Sequence, residues 1–194
     1  MYKNVIIIGA RKSGKSTLAK LIAEKEECNI VNLDDIVRAF EETFPKEDND
    51  NYKEFEAKFI NNYINILSEK SFYSSENNTI FEGNVPNLKE LLQSYDEGKI
   101  SIIGLTYNNI ESKQFANDIK EYSSATDMYK YLPIDLIESD AKEFIEENKN
   151  INELLIKNGI SSFDVSENRV EILDEIVNNI NHLAGINSVI KVKN

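Results

Sequence analysis

Two glycines, a lysine and a serine near the N-terminus are spaced for binding phosphate. Gly9, Gly14, Lys15 and Ser16 stand in the run GARKSGKS, which satisfies G-x-x-x-x-G-K-[ST] at every fixed position. Glycine reaches backbone angles that are closed to residues with a Cβ, so this loop can wrap around a phosphate and point its N–H groups inward. The lysine would then reach the β- and γ-phosphates of a nucleotide, and the serine hydroxyl would bind Mg²⁺.

The elements that must position this loop flank it directly. Residues 5–8 are apolar and mostly β-branched, which predicts a short buried strand, and Leu18, Leu21 and Ile22 share one face of the helix that follows. The positive end of that helix dipole points at the loop. The stretch resembles the P-loop, or Walker A, proteins, and the resemblance implies nucleotide binding by Gly9, Ala10, Arg11, Lys12, Ser13, Gly14, Lys15, Ser16 and Thr17.

Two aspartates follow the second predicted strand, residues 29–33. Asp34 or Asp35 could hold Mg²⁺ through water or take the proton from an attacking hydroxyl, and Arg38, one turn later, could grip an anionic acceptor. In the alternative interpretation the aspartates cap the next helix, which stops before Pro45, and Arg38 is solvated. The position at a strand end favours the functional interpretation.

A third predicted strand, residues 79–81, ends in Glu82-Gly83-Asn84. Glu82 stands where a Walker B acid is expected, and Gly83 allows a substrate to approach the backbone closely. The alternative is an ordinary polar turn.

The segment after the fifth predicted strand carries another arginine. Backbone groups of residues 164–168 and the guanidinium of Arg169 could flank an adenine ring. Equally, Ser166 and Glu167 could simply start the last helix, with Arg169 exposed.

Short apolar strands alternate with helices along the whole chain, which predicts an α/β fold with a parallel sheet covered on both faces and the first strand in the centre. We expect a single domain of residues 1–194. In the helix predicted for residues 52–70, an apolar stripe at steps of three and four is expected to pack in the core; it consists of Tyr52, Phe55, Phe59, Tyr63, Ile66 and Leu67. The tail, residues 188–192, is either an edge strand or disordered.

Composition excludes several classes of protein. The formal net charge of −12 argues against a nucleic-acid or anionic-membrane surface. The single cysteine, Cys28, allows no intramolecular disulfide and is expected to be a small buried residue. Because neither a signal peptide nor an apolar run of about 20 residues is visible, we expect a cytoplasmic protein without a membrane span.

The order of these features resembles the small-kinase branch of the P-loop proteins, the adenylate kinase and shikimate kinase type. The resemblance implies a three-layer fold with a five-stranded sheet of order 2-3-1-4-5, a mobile acceptor-binding region within residues 36–75, and a lid segment at about residues 107–133. It implies Mg·ATP and a small acceptor as ligands, in a monomer or homodimer. The implied catalytic residues are Lys15, Asp34, Asp35, Arg38 and Glu82, with Ser16 and Asp34 on the metal and Arg169 on the nucleotide.

One departure from that branch concerns the lid segment. Lids of this type present arginines to the transferring phosphoryl group, but this chain has none between Arg38 and Arg169 and offers Lys113, Lys120 and Lys130 instead. Either the lid works differently, a second subunit supplies an arginine, or catalysis is weak or lost.

The sequence lacks the motifs that identify other classes of P-loop protein. Asn148-Lys149-Asn150-Ile151 misses the acid of a guanine motif, no ABC signature loop is visible, and an AAA motor would need a longer chain with an acidic Walker B pair. The first hypothesis is therefore transfer of the ATP γ-phosphoryl group to a small nucleotide-like or anionic acceptor. The second is an ATP-binding regulatory or interaction module without phosphotransfer.

Overall fold

Five parallel strands form one sheet in the computed structural model. The structure describes residues 4–44, 51–74, 78–181 and 183, and for residues 70–74 it describes the backbone only. The strand order β2-β3-β1-β4-β5 confirms the predicted topology, with the first strand in the centre. The predicted polar connector before residue 51 and the C-terminal tail lie outside the described residues. The strands are β1 (Asn4–Gly9), β2 (Asn29–Asn32), β3 (Thr79–Glu82), β4 (Ile100–Thr106) and β5 (Ser162–Asp164).

Helices connect consecutive strands, as parallel pairing requires. They are α1 (Lys15–Glu26), α2 (Leu33–Thr43), α3 (Tyr52–Ser74), α4 (Leu88–Ser94), α5 (Ser112–Tyr122), α6 (Ile134–Lys157) and α7 (Arg169–Asn178), with a short 3-10 helix at Met128–Lys130. Pro133 precedes α6, and Gly159 follows it with φ +67°, so a proline and a glycine mark the two ends of this long helix. None of the helices within the described residues has the length and apolar character needed to span a membrane.

The central strand alternates its side chains between two cores. Val5 and Ile7 pack with residues of α1 and α7, whereas Ile6 and Ile8 pack with residues of α2, α3, α4 and α6. A third cluster of buried residues joins α5 to α6 around Phe115. The two sheet cores hold the carboxyl ends of β1 and β3 in register, so the segments that follow these strands meet at one edge.

The cap of α2 differs from the sequence-based interpretation. The alternative interpretation, in which Asp34 and Asp35 cap this helix, is wrong, because the helix begins before both of them, at Leu33, whose side chain is fully buried. Asn32 is the N-cap, and its Oδ1 accepts a hydrogen bond from the Asp35 N–H at 3.1 Å. Both aspartates therefore lie in the first turn, where their charge favours the helix dipole.

The core face of α3 was predicted correctly only in part: Tyr52 is buried and Leu67 packs against the sheet core, but other residues of the predicted stripe do not. Phe55, Phe59 and Ile66 are 45%, 40% and 64% exposed, while Ile60 and Ile64 are fully buried. The sheet-facing stripe therefore lies one position away from the predicted one. The aromatic residues of α3 instead contact α2, in an aromatic cluster of Phe40, Phe44, Tyr52, Phe55 and Phe59 with ring centroids 4.9 to 5.8 Å apart.

Smaller differences concern element ends and the cysteine. Helix α3 runs to Ser74, four residues past its predicted end. Cys28 is a free thiol just before β2 and is half-buried rather than buried, and this burial raises its pKa.

Candidate active site

The phosphate loop follows β1 at the sheet centre, and its two glycines serve different needs. A Cβ at Gly9 would lie 2.5 Å from the Leu105 carbonyl oxygen and 2.6 Å from the Ser13 hydroxyl, so close packing requires glycine there. Gly14 has φ +94° and forms the N-cap of α1. Ala10 and Ser13 are fully buried beneath the loop. The sequence analysis expected glycine at both positions because of backbone angles. This holds for Gly14, whereas Gly9 is required because a side chain would not fit there.

The amino end of α1 is open to an anion. Its N-cap makes no side-chain hydrogen bond, and no acidic residue lies in the first turn, which holds Lys15, Ser16 and Thr17. These three residues line a cavity of about 360 Å³, which we call the loop cavity. Unpaired N–H groups and the helix dipole make such an end a phosphate-binding site.

Lys15 lies folded back onto the loop. Its Nζ donates hydrogen bonds to the carbonyl oxygens of Gly9 at 2.8 Å and Ala10 at 3.0 Å. Burial lowers the pKa of this ammonium group, and the nearby carboxylate of Asp34 opposes that shift. The charge is therefore held close to where a nucleotide's phosphates would lie.

Glu82 joins the loop to the second strand. Its carboxylate is 4% exposed and accepts two hydrogen bonds of 2.8 Å, one at Oε2 from the Ser16 hydroxyl and one at Oε1 from the Asn32 amide. The end of β3 thus places Glu82 beside the serine of the motif. Asn32 is a site residue that the sequence analysis missed, although its position at the end of β2 was a usable signal.

Asp34 also lines the loop cavity. Its Oδ1 accepts a hydrogen bond from the Asn84 N–H at 2.7 Å. Gly83, between Glu82 and Asn84, has φ +124°, and a Cβ there would lie 2.9 Å from the Asp34 backbone nitrogen. Glycine is therefore required at this position by both conformation and space.

Asp35 and Arg38 lie elsewhere. The Arg38 guanidinium donates to Asp35 Oδ1 at 3.2 Å, and both side chains are about two-thirds exposed. Neither residue lines the loop cavity. Of the predicted acid pair, only Asp34 is thus brought to the phosphate loop.

The residues between the two glycines contact the far half of the chain. The Arg11 Nε donates to Glu147 Oε2 at 3.0 Å, and its guanidinium lies 4.3 Å from the centroid of the Phe144 ring. Tyr107 lies beneath this contact, with its hydroxyl 3.0 Å from the Arg11 carbonyl oxygen and 2.9 Å from that of Phe144. The ion pair, the ring contact and the tyrosine hydrogen bonds together connect the phosphate loop to α6.

Lys12 connects the phosphate loop to the predicted lid segment through an ion pair. Its Nζ pairs with Asp127 Oδ2 at 2.6 Å and lies 4.2 Å from the centroid of the Tyr129 ring. Asp127 is also the N-cap of the 3-10 helix, accepting from the Tyr129 N–H at 3.0 Å. No local pattern in the sequence marks these partners, because 115 positions separate Lys12 from Asp127.

Two lysines of the predicted lid segment, residues 107–133, donate hydrogen bonds to the backbone of that same segment. Lys120 Nζ donates to the Leu132 carbonyl oxygen, and Lys130 Nζ donates to the carbonyl oxygens of Lys120 and Glu121, at 2.9 to 3.2 Å. Neither lysine lines the loop cavity, and nor does Lys113. The cations that do line it are Arg11, Lys12, Lys15 and Arg169.

Arg169, at the start of α7, is half-buried between two cavities. It lines the loop cavity and a second space of about 360 Å³ that also touches Tyr122, Ser166 and Asn168. The Arg169 guanidinium lies 5.5 Å from the Tyr122 ring centroid, and burial lowers its pKa. This places a planar cation and an aromatic ring beside the segment predicted to flank adenine.

The oxygen ligands present fit Mg²⁺. Ser16 Oγ and Glu82 Oε2 lie 2.8 Å apart at the loop. Among the described residues there is no group of three or more His, Cys, Asp and Glu side chains that could hold a metal ion. Mg²⁺ suits such a site, because it keeps several waters and binds through one or two protein oxygens together with substrate phosphates.

Solved structures share this fold. Shikimate kinase from Bacteroides thetaiotaomicron has a TM-score of 0.57 at 15% identity, with 94% of this chain and 98% of that chain covered. Shikimate kinase from Acinetobacter baumannii, in complex with shikimate, gives 0.55 at 14% identity, with 100% and 97% covered. YorR protein from Bacillus subtilis, in complex with phosphorylated GDP, gives 0.53 at 15% identity, with 96% and 98% covered. The chain therefore has the fold of the P-loop small kinases.

A search of curated proteins found no match. A family model described as an AAA domain matches residues 1–104, more than half of the 194 residues. That match spans the phosphate loop, β1 to β3 and most of β4. The sequence analysis set aside an AAA motor, and this match shows that the absence of the motor's features does not exclude the AAA domain family. The chain belongs to the AAA domain family of P-loop proteins.

Proposed function

We propose that this protein transfers the γ-phosphoryl group of ATP to a hydroxyl group of a small acceptor. The observation that carries the proposal is the convergence of Lys15, Ser16, Glu82 and Asp34 on one cavity at the carboxyl ends of β1 to β3. Open amide groups of α1, a lysine and paired oxygen ligands are the parts that phosphoryl transfer from a nucleotide requires.

The loop and Lys15 bind the phosphates. In the free protein Lys15 Nζ is satisfied by two loop carbonyls, and phosphate oxygens would replace those partners. Ser16 and Glu82 would hold Mg²⁺, which when bound neutralises charge on the phosphates. Arg169 would lie against the base, and Arg11 and Lys12 add positive charge to the cavity wall.

Asp34 is the residue placed to accept the proton. Glu82 already accepts two hydrogen bonds, and Asp35 is paired with Arg38 outside the cavity. Asp34 uses Oδ1 for the Asn84 N–H, and its other oxygen can take the acceptor's proton. As the acceptor oxygen forms its bond to the γ-phosphorus, the bond from that phosphorus to the β–γ bridging oxygen breaks, and ADP leaves with the electron pair.

Calorimetric titration and turnover test this proposal. We expect wild-type protein to bind Mg·ATP and to release ADP in the presence of a hydroxyl-bearing acceptor. Lys15→Ala should weaken binding at least about tenfold, since a charged hydrogen bond contributes roughly 1.5–3 kcal/mol. Lys20→Ala is the matched control, because Lys20 is exposed on the same helix. Unchanged affinity in Lys15→Ala would refute the proposal at its first step.

One observation favours a second function, nucleotide binding without phosphotransfer. The lid lysines donate to lid carbonyls, so the described lid offers neither arginine nor lysine to a transferring phosphoryl group. ATP turnover across nucleosides, nucleotides and small hydroxy compounds separates the two functions. Binding without transfer to any acceptor would favour a nucleotide-dependent switch.

A further inference from the structure

A further cavity adjoins the phosphate loop, and Arg169 is not among the residues that line it. It has a volume of about 300 Å³ and is bordered by Gly9 of the loop and by Gly83. The Asp34 carboxyl carbon would lie 3.2 Å from a Cβ at Gly83, and its Oδ1 accepts from the Asn84 N–H, so Asp34 of the loop cavity is adjacent to two residues that border this cavity. We call this space the side cavity; its position beside the proposed base makes it the place for an acceptor.

The walls of the side cavity are largely apolar. Val85 and Leu88 contribute from the segment after β3 and the start of α4, and Ile151 and Leu154 contribute from α6. An apolar wall of this kind binds the hydrocarbon part of a small ligand and adds no charge.

The polar groups of the side cavity are two amides, Asn84 and Asn150, and one carboxylate, Glu147. No lysine, arginine or histidine lines it among the described residues. Arg11 pairs with Glu147 at 3.0 Å and stacks on Phe144, and it lines the loop cavity rather than the side cavity, so it is already engaged by a carboxylate. An anion entering here would leave water and meet a carboxylate without a free cation.

The groove next to the side cavity has the same charge. It has a volume of about 870 Å³ and shares Asn84, and among the described residues its lining includes Glu41, Glu54, Glu56 and Glu90 and one cation, Lys53. The remaining arginine on this side, Arg38, is paired with Asp35. The side cavity and this groove therefore both disfavour the binding of a negatively charged ligand.

We propose that the acceptor is a small hydroxyl compound without negative charge, either uncharged or carrying an amine. Its hydrocarbon part packs between α4 and α6, and its polar groups meet Asn84, Asn150 and Glu147. This inference rests on the proposed phosphotransfer, and it replaces the anionic acceptor that Arg38 suggested in the sequence.

Three probes that differ only in charge test the inference. They are 3-hydroxycyclohexanecarboxylate, the corresponding carboxamide, and the corresponding aminomethyl compound, each titrated into full-length protein saturated with a non-hydrolysable ATP analogue and magnesium. We expect the amide and the amine to bind at least about tenfold more tightly than the carboxylate, since like charges at a desolvated site repel strongly.

Two variants locate the effect. Leu154→Trp fills the side cavity and should abolish binding of the amide and the amine while Mg·ATP binding is retained. Ile156→Trp, at an exposed position of the same helix, is its control. Asn150→Lys adds a cation at an exposed position of the cavity rim and should shift the preference toward the carboxylate.

The outcomes separate this inference from the proposed function. A carboxylate that binds as tightly as the amide, a lack of binding by all three probes, or binding unaffected by Leu154→Trp would each overturn the inference. Charge-selective binding without ATP turnover would leave the charge preference of the side cavity standing, but it would overturn the phosphotransfer and with it the ligand's role as acceptor. Turnover with the carboxylate alone would support the phosphotransfer and overturn the inference about the acceptor's charge.

Discussion

Lys15 illustrates how one residue is prepared for a ligand that carries the opposite charge. Its ammonium group is buried, its pKa is lowered by that burial, and its hydrogen bonds go to two carbonyl oxygens of the loop. Carbonyl oxygens are neutral partners that a phosphate oxygen can displace. The residue therefore keeps its charge in place without a tight ion pair that a nucleotide would first have to break.

The lowered pKa of Lys15 predicts how nucleotide affinity depends on pH. In the free protein the lysine loses its proton at a lower pH than the ordinary 10.5. As pH rises, Mg·ATP affinity should therefore begin to decline before the pH reaches 10.5. Lys15→Arg keeps its charge throughout this range and should lack this alkaline decline. Calorimetric titrations between pH 7 and pH 10 measure both proteins, and the same decline in Lys15→Arg would assign it to another group.

Glu82 predicts a stability effect. Glu82→Ala leaves the Ser16 hydroxyl and the Asn32 amide without their buried partner, and should lower the free energy of unfolding by about 1–3 kcal/mol. Urea denaturation measures the change. Glu153→Ala, at an exposed position of α6, should have little effect, and equal effects in the two variants would contradict the assigned role of Glu82.

At the scale of elements, α3 shows what sequence periodicity omits. Steps of three and four predicted a helix correctly, but a helix packed on two sides carries two apolar stripes. Phe55 and Phe59 face α2, whereas Ile60 and Ile64 face the sheet. The larger side chains suggested the wrong face, because the position of α2 is fixed only by the folded chain.

The aromatic cluster predicts a graded response to truncation. Phe40 is 2% exposed and contacts four rings, so Phe40→Ala should destabilise the protein by about 3–5 kcal/mol. Phe44→Ala, at a ring that is 45% exposed, should cost clearly less. Chemical denaturation of both variants decides the point, and a smaller loss for Phe40→Ala would mean that the cluster contributes little to stability.

The lid contact predicts a change in local protection. Burial raises the pKa of Asp127, but hydrogen bonds from Lys12 and the Tyr129 N–H outweigh this and lower it overall. The stabilisation is therefore present above the carboxyl's unfolded pKa and is lost as pH falls through its folded pKa. At pH 7, Asp127→Asn should increase hydrogen exchange in residues 123–133. Asp135→Asn, in the first turn of α6, is the control, and equal exchange in wild type and Asp127→Asn would show that the ion pair does not hold the lid.

For the whole molecule, local patterns were sufficient for the sheet and insufficient for the closed site. The phosphate loop, Glu82 and the strand order follow from motif, strand-end position and resemblance. The pairs Arg11–Glu147 and Lys12–Asp127 join residues 136 and 115 positions apart. Nothing near Glu147 or Asp127 in the sequence indicates which loop residue each contacts, because tertiary packing alone brings them together.

Nucleotide binding should stabilise the entire domain by mass action. At a hundred times the dissociation constant, Mg·ATP should add about 2.7 kcal/mol, which corresponds to a rise in Tm of roughly 5–10 °C for a domain of this size. Differential scanning calorimetry measures this shift. It should nearly vanish in Lys15→Ala, and a full shift in that variant would place the nucleotide away from the loop.

The hydroxyl of Tyr107 has a mechanical consequence. One hydrogen serves two carbonyl oxygens, those of Arg11 and Phe144, and the Asn148 side chain bonds to both backbone groups of Tyr107. The end of β4, the loop and the middle of α6 should therefore move as one rigid body. Since α6 is also a wall of the side cavity, that cavity should keep its shape while the nucleotide enters and leaves.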